Sequence, residues 1–184
     1  MKEFLRKIKL IETFVTELQI EKNDLIRKFK QHVDEANPGT LNDLLDAFSS
    51  SKKEFKGTVE MDTFKIKRRK RFFDSSLPLV AEGTYRQKDE SLVIEAEING
   101  FPKIMIFFCG LLILFYLIAL ASTIAASMEE WRMATIAVPF LFIHAAFMFG
   151  IPYFIMRRSV KRMKHDLERE FYYMTKPEPR RYGD

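Results

Sequence analysis

Between Lys103 and Arg157 the chain is almost free of charge. Residues 104–128 form a run of 25 without Asp, Glu, Lys or Arg, and residues 133–156 form a second of 24. A helix crossing the hydrocarbon core of a bilayer needs about 20 apolar residues at about 1.5 Å rise each, so both runs are long enough to span it and to tilt. The competing reading is a helical hairpin buried in a soluble core. The segment before the runs is too small to surround two such helices on every side, so the sequence predicts two spans facing lipid. Only Glu129, Glu130, Trp131 and Arg132 join them, a tight antiparallel connection in which Trp131 suits the far interface.

The remaining charge is divided around the runs. Residues 1–100 hold 19 Lys/Arg and 18 Asp/Glu, and residues 157–184 hold 9 against 5. This excludes a fully soluble protein and a disordered chain, and with Cys109 as the one cysteine it excludes a disulfide scaffold. The expected organisation is a domain over 1–100, a transmembrane hairpin over 101–157, and a C-terminal helix and tail over 158–184. Lys103 precedes the first span, and Arg157, Arg158, Lys161, Arg162 and Lys164 follow the second, against Arg132 alone in the connection. By the positive-inside rule both termini face the cytoplasm, placing the chain in a plasma or bacterial inner membrane. Lys2, Glu3, Arg6, Lys7 and Lys9 interrupt any signal-peptide core.

Small residues cluster within the hairpin: Ala119, Ser122 and Ala126 on the first span, Ala146 and Gly150 on the second. They let helices approach closely, either the two spans or two copies of the chain as a homo-oligomer. Pro139 and Pro152 each remove a backbone donor and predict a kinked second span. Tyr116 lies thirteen residues after Lys103 and His144 thirteen before Arg157. Both therefore fall about 20 Å from the cytoplasmic edge, where a hydrogen bond between them satisfies two polar groups in lipid. A proton or ion role for His144 is the alternative. Cys109 reads as a small packing residue.

Residues 12–20 alternate with Phe14, Thr16, Leu18 and Ile20 on one face, a strand period. A helix follows from Asp24 to about Ala36, capped by Asn23, with Leu25, Ile26, Phe29 and Val33 at helical spacing. Asn37-Pro38-Gly39 stops it, and a second short helix carries Leu41, Leu44, Leu45 and Phe48. The period then becomes two: Phe55, Gly57, Val59 and Met61, a turn at Asp62-Thr63, then Phe64 and Ile66. After a linker near Asp74-Ser75-Ser76, two further strands carry Leu79, Ala81, Gly83, Tyr85 and Leu92, Ile94, Ala96, Ile98. The fold class is an α+β domain (strand, two helices, antiparallel four-strand meander), then the hairpin and a C-terminal amphipathic helix. That last helix extends the second span and carries a stripe of Val160, Met163, Leu167, Phe171 and Met174.

Nothing in the sequence forms a catalytic or metal-ligating motif. Phosphate-loop, dinucleotide, zinc-protease and nucleophile-elbow patterns are absent, and the three histidines (His32, His144 and His165) are dispersed. No cofactor is expected, and an enzyme is the weakest of the readings. The sharpest local feature is the run at 65–71, where Lys65, Lys67, Arg68, Arg69, Lys70 and Arg71 put six cations in seven residues. It is either a solvated strand end balanced by nearby carboxylates or a contact for anionic lipid headgroups, with a nucleotide, signalling anion or nucleic acid the weakest reading; the tether limits scanning along DNA. Phe72 and Phe73 beside it are interface or core residues.

Phe55-x-Gly57-x-Val59, Phe64-x-Ile66-x-Arg68, Pro78 and Gly83, followed by a strand and a hairpin, resemble uncharacterised bacterial two-span membrane proteins with an N-terminal cytoplasmic α+β domain. The resemblance covers roughly residues 10–130 and implies architecture without catalytic residues. The strand–helix–helix–meander order also resembles helix-grip domains, which implies a pocket for an apolar ligand. The expected function is a membrane-anchored module that binds a protein partner or ligand and contacts the bilayer. The alternative is an oligomeric, ligand-responsive membrane effector or pore-former.

Overall fold

The computed structural model describes residues 1–35, 53, 55–68, 79–127 and 131–176. The chain runs α1 (Lys2–Lys7), β1 (Ile11–Leu18), α2 (Lys22–His32), β2 (Val33–Glu35), β3 (Phe55–Val59), β4 (Thr63–Arg68), β5 (Val80–Lys88), β6 (Ser91–Asn99), α3 (Lys103–Ser127) and α4 (Trp131–Thr175). The strands form one six-stranded sheet in the order β1-β6-β5-β4-β3-β2, antiparallel except for the β2–β3 pair.

Alternation along each strand sends one set of side chains to a common inner face. Phe14 and Leu18 of β1, Phe64 and Ile66 of β4, Ala81 and Tyr85 of β5, and Leu92, Ile94, Ala96 and Ile98 of β6 are all buried there. Leu25, Ile26 and Phe29 of α2 cover part of this face. The rest is covered by the C-terminal part of α4, whose Val160, Met163, Leu167, Phe171 and Met174 enter the same core at intervals of three and four. Rings of Phe29, Phe64 and Phe171 meet edge to face at 5.3–6.0 Å. Lys28 of α2 donates to the Met174 carbonyl (2.7 Å) and satisfies an orphan acceptor at the end of α4.

The expected α+β arrangement needs four corrections. Helix α2 starts at Lys22, with Glu21 rather than Asn23 at its cap position. Its first amide is satisfied from another element, since Lys22 N–H donates to Gln87 Oε1 of β5 at 3.0 Å. The helix also ends at His32 rather than near Ala36, because β-branched Val33 turns extended, is buried, and opens the short strand β2 against β3. Met61 stands exposed in the β3–β4 turn instead of on the strand face, since Glu60 N–H donates to Thr63 O and closes the hairpin around Met61 and Asp62. Finally, α1 and β2 have no counterpart in the expected set.

The second helix expected near 41–48, the linker at 74–76, Phe72, Phe73 and the Glu129-Glu130 connection lie outside the described residues. The C-terminal extension forms as expected: α4 is one helix of 45 residues that contains both Pro139 and Pro152.

Candidate functional site

Three places bear on function: the cationic strand end, the apolar hairpin, and the neck where hairpin and sheet meet. In the first, Lys65 lies on the outer face of the sheet and pairs with Glu82 of β5 at 2.7 Å. Lys67 and Lys56 face each other across β3 and β4, and both are buried. Arg68 alternates to the inner face, where its Nη1 lies 2.9 Å from Asp166 Oδ2 on α4. Arg69, Lys70 and Arg71 lie outside the described residues. The described half of the run is therefore spent on contacts within the fold, with Lys65 the most exposed of the three.

Helices α3 and α4 are long and apolar enough to cross a membrane, with mean hydropathy 2.9 over Ile104–Ala125. They lie against each other along a seam of half-buried and buried residues that includes Cys109, Leu112, Tyr116, Ala119 and Thr123 of α3 and Leu141, Ala145, Met148 and Phe149 of α4. Away from the seam the side chains are uncovered: Ile104, Phe107, Phe140, Phe142, Phe147 and Phe154 are all exposed. Tyr116 Oη lies 2.7 Å from His144 Nδ1, and the Phe140 ring stacks near the imidazole one turn earlier. Of the small residues, Ala119 lies in the seam and Gly150 is half-buried, whereas Ser122 and Ala146 are exposed outside it. Ala126 lies in α3.

The neck leaves no signal in the sequence, because it joins the first eleven residues to Met105, Tyr153 and Met156 far along the chain. Leu5, Leu10, Ile11 and Met156 form a second apolar cluster, with Ile8, Phe101, Met105 and Tyr153 packed against it. Helix α1 ends in a Schellman motif: Leu10 N–H donates to Leu5 O, and Lys9 N–H to Arg6 O. Lys9 takes the left-handed position at φ 60, and Leu10 folds back into the cluster that contains Leu5. Tyr153 Oη of α4 donates to the Ile8 carbonyl at 3.2 Å. Arg6 and Lys2 pair with Glu97 of β6 at 2.5 and 3.3 Å, and hydrogen bonding from Arg6 holds the Glu97 carboxyl below its usual range. Gly100 allows the close approach of α4 here, because a Cβ at that position would lie 2.3 Å from Val160 Cγ2.

On the outer face of the sheet, an open groove of about 720 Å³ is lined by Thr13, Val15, Lys65, Glu82, Thr84 and Glu95, among others. Its walls mix threonines and carboxylates with Val15 and Lys65. Among the described residues, no three His, Cys, Asp or Glu side chains are grouped to hold a metal ion. The inner face, where a helix-grip domain would hold an apolar ligand, is filled by Phe29, Phe64 and Phe171, each almost fully buried. No family model, curated protein or solved structure matches this chain.

Proposed function

We propose that this chain is a two-span inner-membrane protein whose cytoplasmic α+β domain is an interaction module held against the bilayer. The observation that carries the reading is α4, a single helix whose first half is apolar and uncovered and whose second half completes the core of the sheet domain. Uncovered Phe, Ile and Leu along two adjoining helices suit a lipid solvent. A helix anchored at one end in the bilayer and at the other among Phe29, Phe64 and Leu92 holds the domain at the surface, which raises its effective concentration toward membrane partners. Exposed Arg158 and Lys161, just beyond the second span, face the headgroup layer, where each basic residue contributes about 1 kcal/mol toward anionic lipid. Tyr116 and His144 then serve as an internal hydrogen bond of the hairpin.

Labelling of single cysteines tests the topology. In a Cys109→Ser background, a membrane-impermeant maleimide is expected to label Glu130→Cys on intact cells and His165→Cys only after permeabilisation. The reverse pattern, or recovery of the chain in the soluble fraction, overturns the reading. A second reading, an oligomeric membrane effector, draws on Ser122 and Ala146 facing away from the seam. Crosslinking in membranes separates the two: a ring of copies supports the effector, and a monomer supports the anchor.

A further inference from the structure

We propose that α1 is a lipid contact of its own, lying in the headgroup layer with Phe4 among the upper acyl chains and Lys7 and Lys9 toward anionic headgroups. The proposal rests on the reading of α3 and α4 as membrane spans and identifies where else the chain meets the bilayer.

Depth is the first argument. Helix α1 packs through Leu5 and Ile8 into the cluster that contains Met105 and Tyr153. In chain order these two residues lie on the apolar side of the flanking cations, Met105 after Lys103 and Tyr153 before Arg157. A helix in contact with both sits at the level of the first turn of the spans, where lipid headgroups begin.

Orientation is the second argument. Three arcs of α1 have different surroundings. Lys2 and Arg6, one turn apart, are turned to Glu97 on the sheet. Leu5 and Ile8 are turned to the neck. On the remaining arc Phe4 is 62% exposed, and Met1 before it is 78% exposed. Beside them Lys7 and Lys9 are exposed and have no ion-pair partner among the described residues, while Glu3 is the one acidic group of the helix. A large exposed apolar ring flanked by uncommitted cations matches an anionic bilayer surface in both hydrophobicity and charge.

The test uses the full chain in vesicles, with tryptophan in place of Phe4 and Trp131→Phe to remove the native indole. A parallel sample carries Phe115→Trp as a depth control. Phosphatidylcholine vesicles, with and without phosphatidylglycerol, contain lipids brominated either just below the headgroup or deep in the chain. The residue-4 indole is expected to lose about half its emission to the shallow bromines, at the 5–10 Å depth of an interfacial helix. Lys7→Gln with Lys9→Gln is expected to halve that quenching in the anionic vesicles only. Quenching of the Phe115→Trp control with none at position 4 overturns the α1 proposal and leaves the spans intact. A control that no bromine quenches overturns the spans themselves. A blue-shifted but unquenched indole at position 4 indicates protein cover and also overturns the proposal.

Discussion

Arg68 Nη1 on β4 lies 2.9 Å from Asp166 Oδ2 on α4, with the Asp166 side chain only 10% exposed. A cation from the most basic stretch of the chain thus ties the sheet to the helix that covers it. Removing one partner leaves a desolvated charge, which costs more than the pair contributes. Asp166→Ala is expected to lower stability by about 3 kcal/mol. Arg68→Met combined with Asp166→Leu is expected to recover most of it. Thermal unfolding in detergent checks both, and a single variant as stable as the native chain would show that the pair is solvated.

Gly83 lies opposite Phe64 across β4 and β5, and a Cβ there would stand 2.4 Å from the Phe64 ring. That ring is fixed by Phe29, Phe171 and Tyr85, so it has nowhere to move. Gly83→Ala is expected to cost about 2–3 kcal/mol by overpacking. A near-ultraviolet dichroism spectrum should show the aromatic cluster disturbed, and an unchanged spectrum would contradict the packing.

The Tyr85 hydroxyl is buried with no hydrogen-bond partner among the described residues, and burial pushes its phenol well above the usual tyrosine range. A buried donor left unmade costs about 1–3 kcal/mol, so Tyr85→Phe is expected to stabilise the domain by about 1 kcal/mol. A loss of stability in the same melt would reveal a partner for the hydroxyl.

The carboxyl of Glu97, lowered first by its hydrogen bond from Arg6 and then by Lys2, makes the docking of α1 dependent on pH. A group whose folded pKa lies below its unfolded one contributes stability above the unfolded value and loses it as pH falls through the folded value. Acidification below the ordinary carboxylate range is therefore expected to loosen α1 while the sheet holds. Protection of the Leu5 and Leu10 amides, taken relative to intrinsic exchange at each pH, should fall in acid, and Glu97→Gln should remove that dependence.

Legibility in the sequence followed the length scale of each cue. The hairpin rested on runs of 25 and 24 residues, and the four meander strands on sustained alternation, so long patterns settled them. Asn23 and Met61 misled because caps and turns are decided by contacts from elsewhere: Gln87 holds the start of α2, and the Glu60–Thr63 bond closes the hairpin one residue early. The basic run at 65–71 looked like one surface, yet strand alternation splits it, with Lys65 outward and Arg68 inward. Helix α1 left no periodic trace because six residues are too short to show one, and its partners Met105 and Tyr153 lie far along the chain.

The covering stripe of α4 follows both apolar runs in chain order. Val160 follows Asn99 by about 60 residues, so at about 5–20 residues per second a ribosome takes several seconds between finishing the sheet and delivering its lid. Through that interval Phe14, Phe64 and Ile94 wait without their final neighbours while both greasy helices emerge. A nascent chain of this design completes its sheet domain only after its apolar hairpin has been made, and a ribosome that stalls in between leaves the part of the sheet face that α2 does not cover for chaperones to shield.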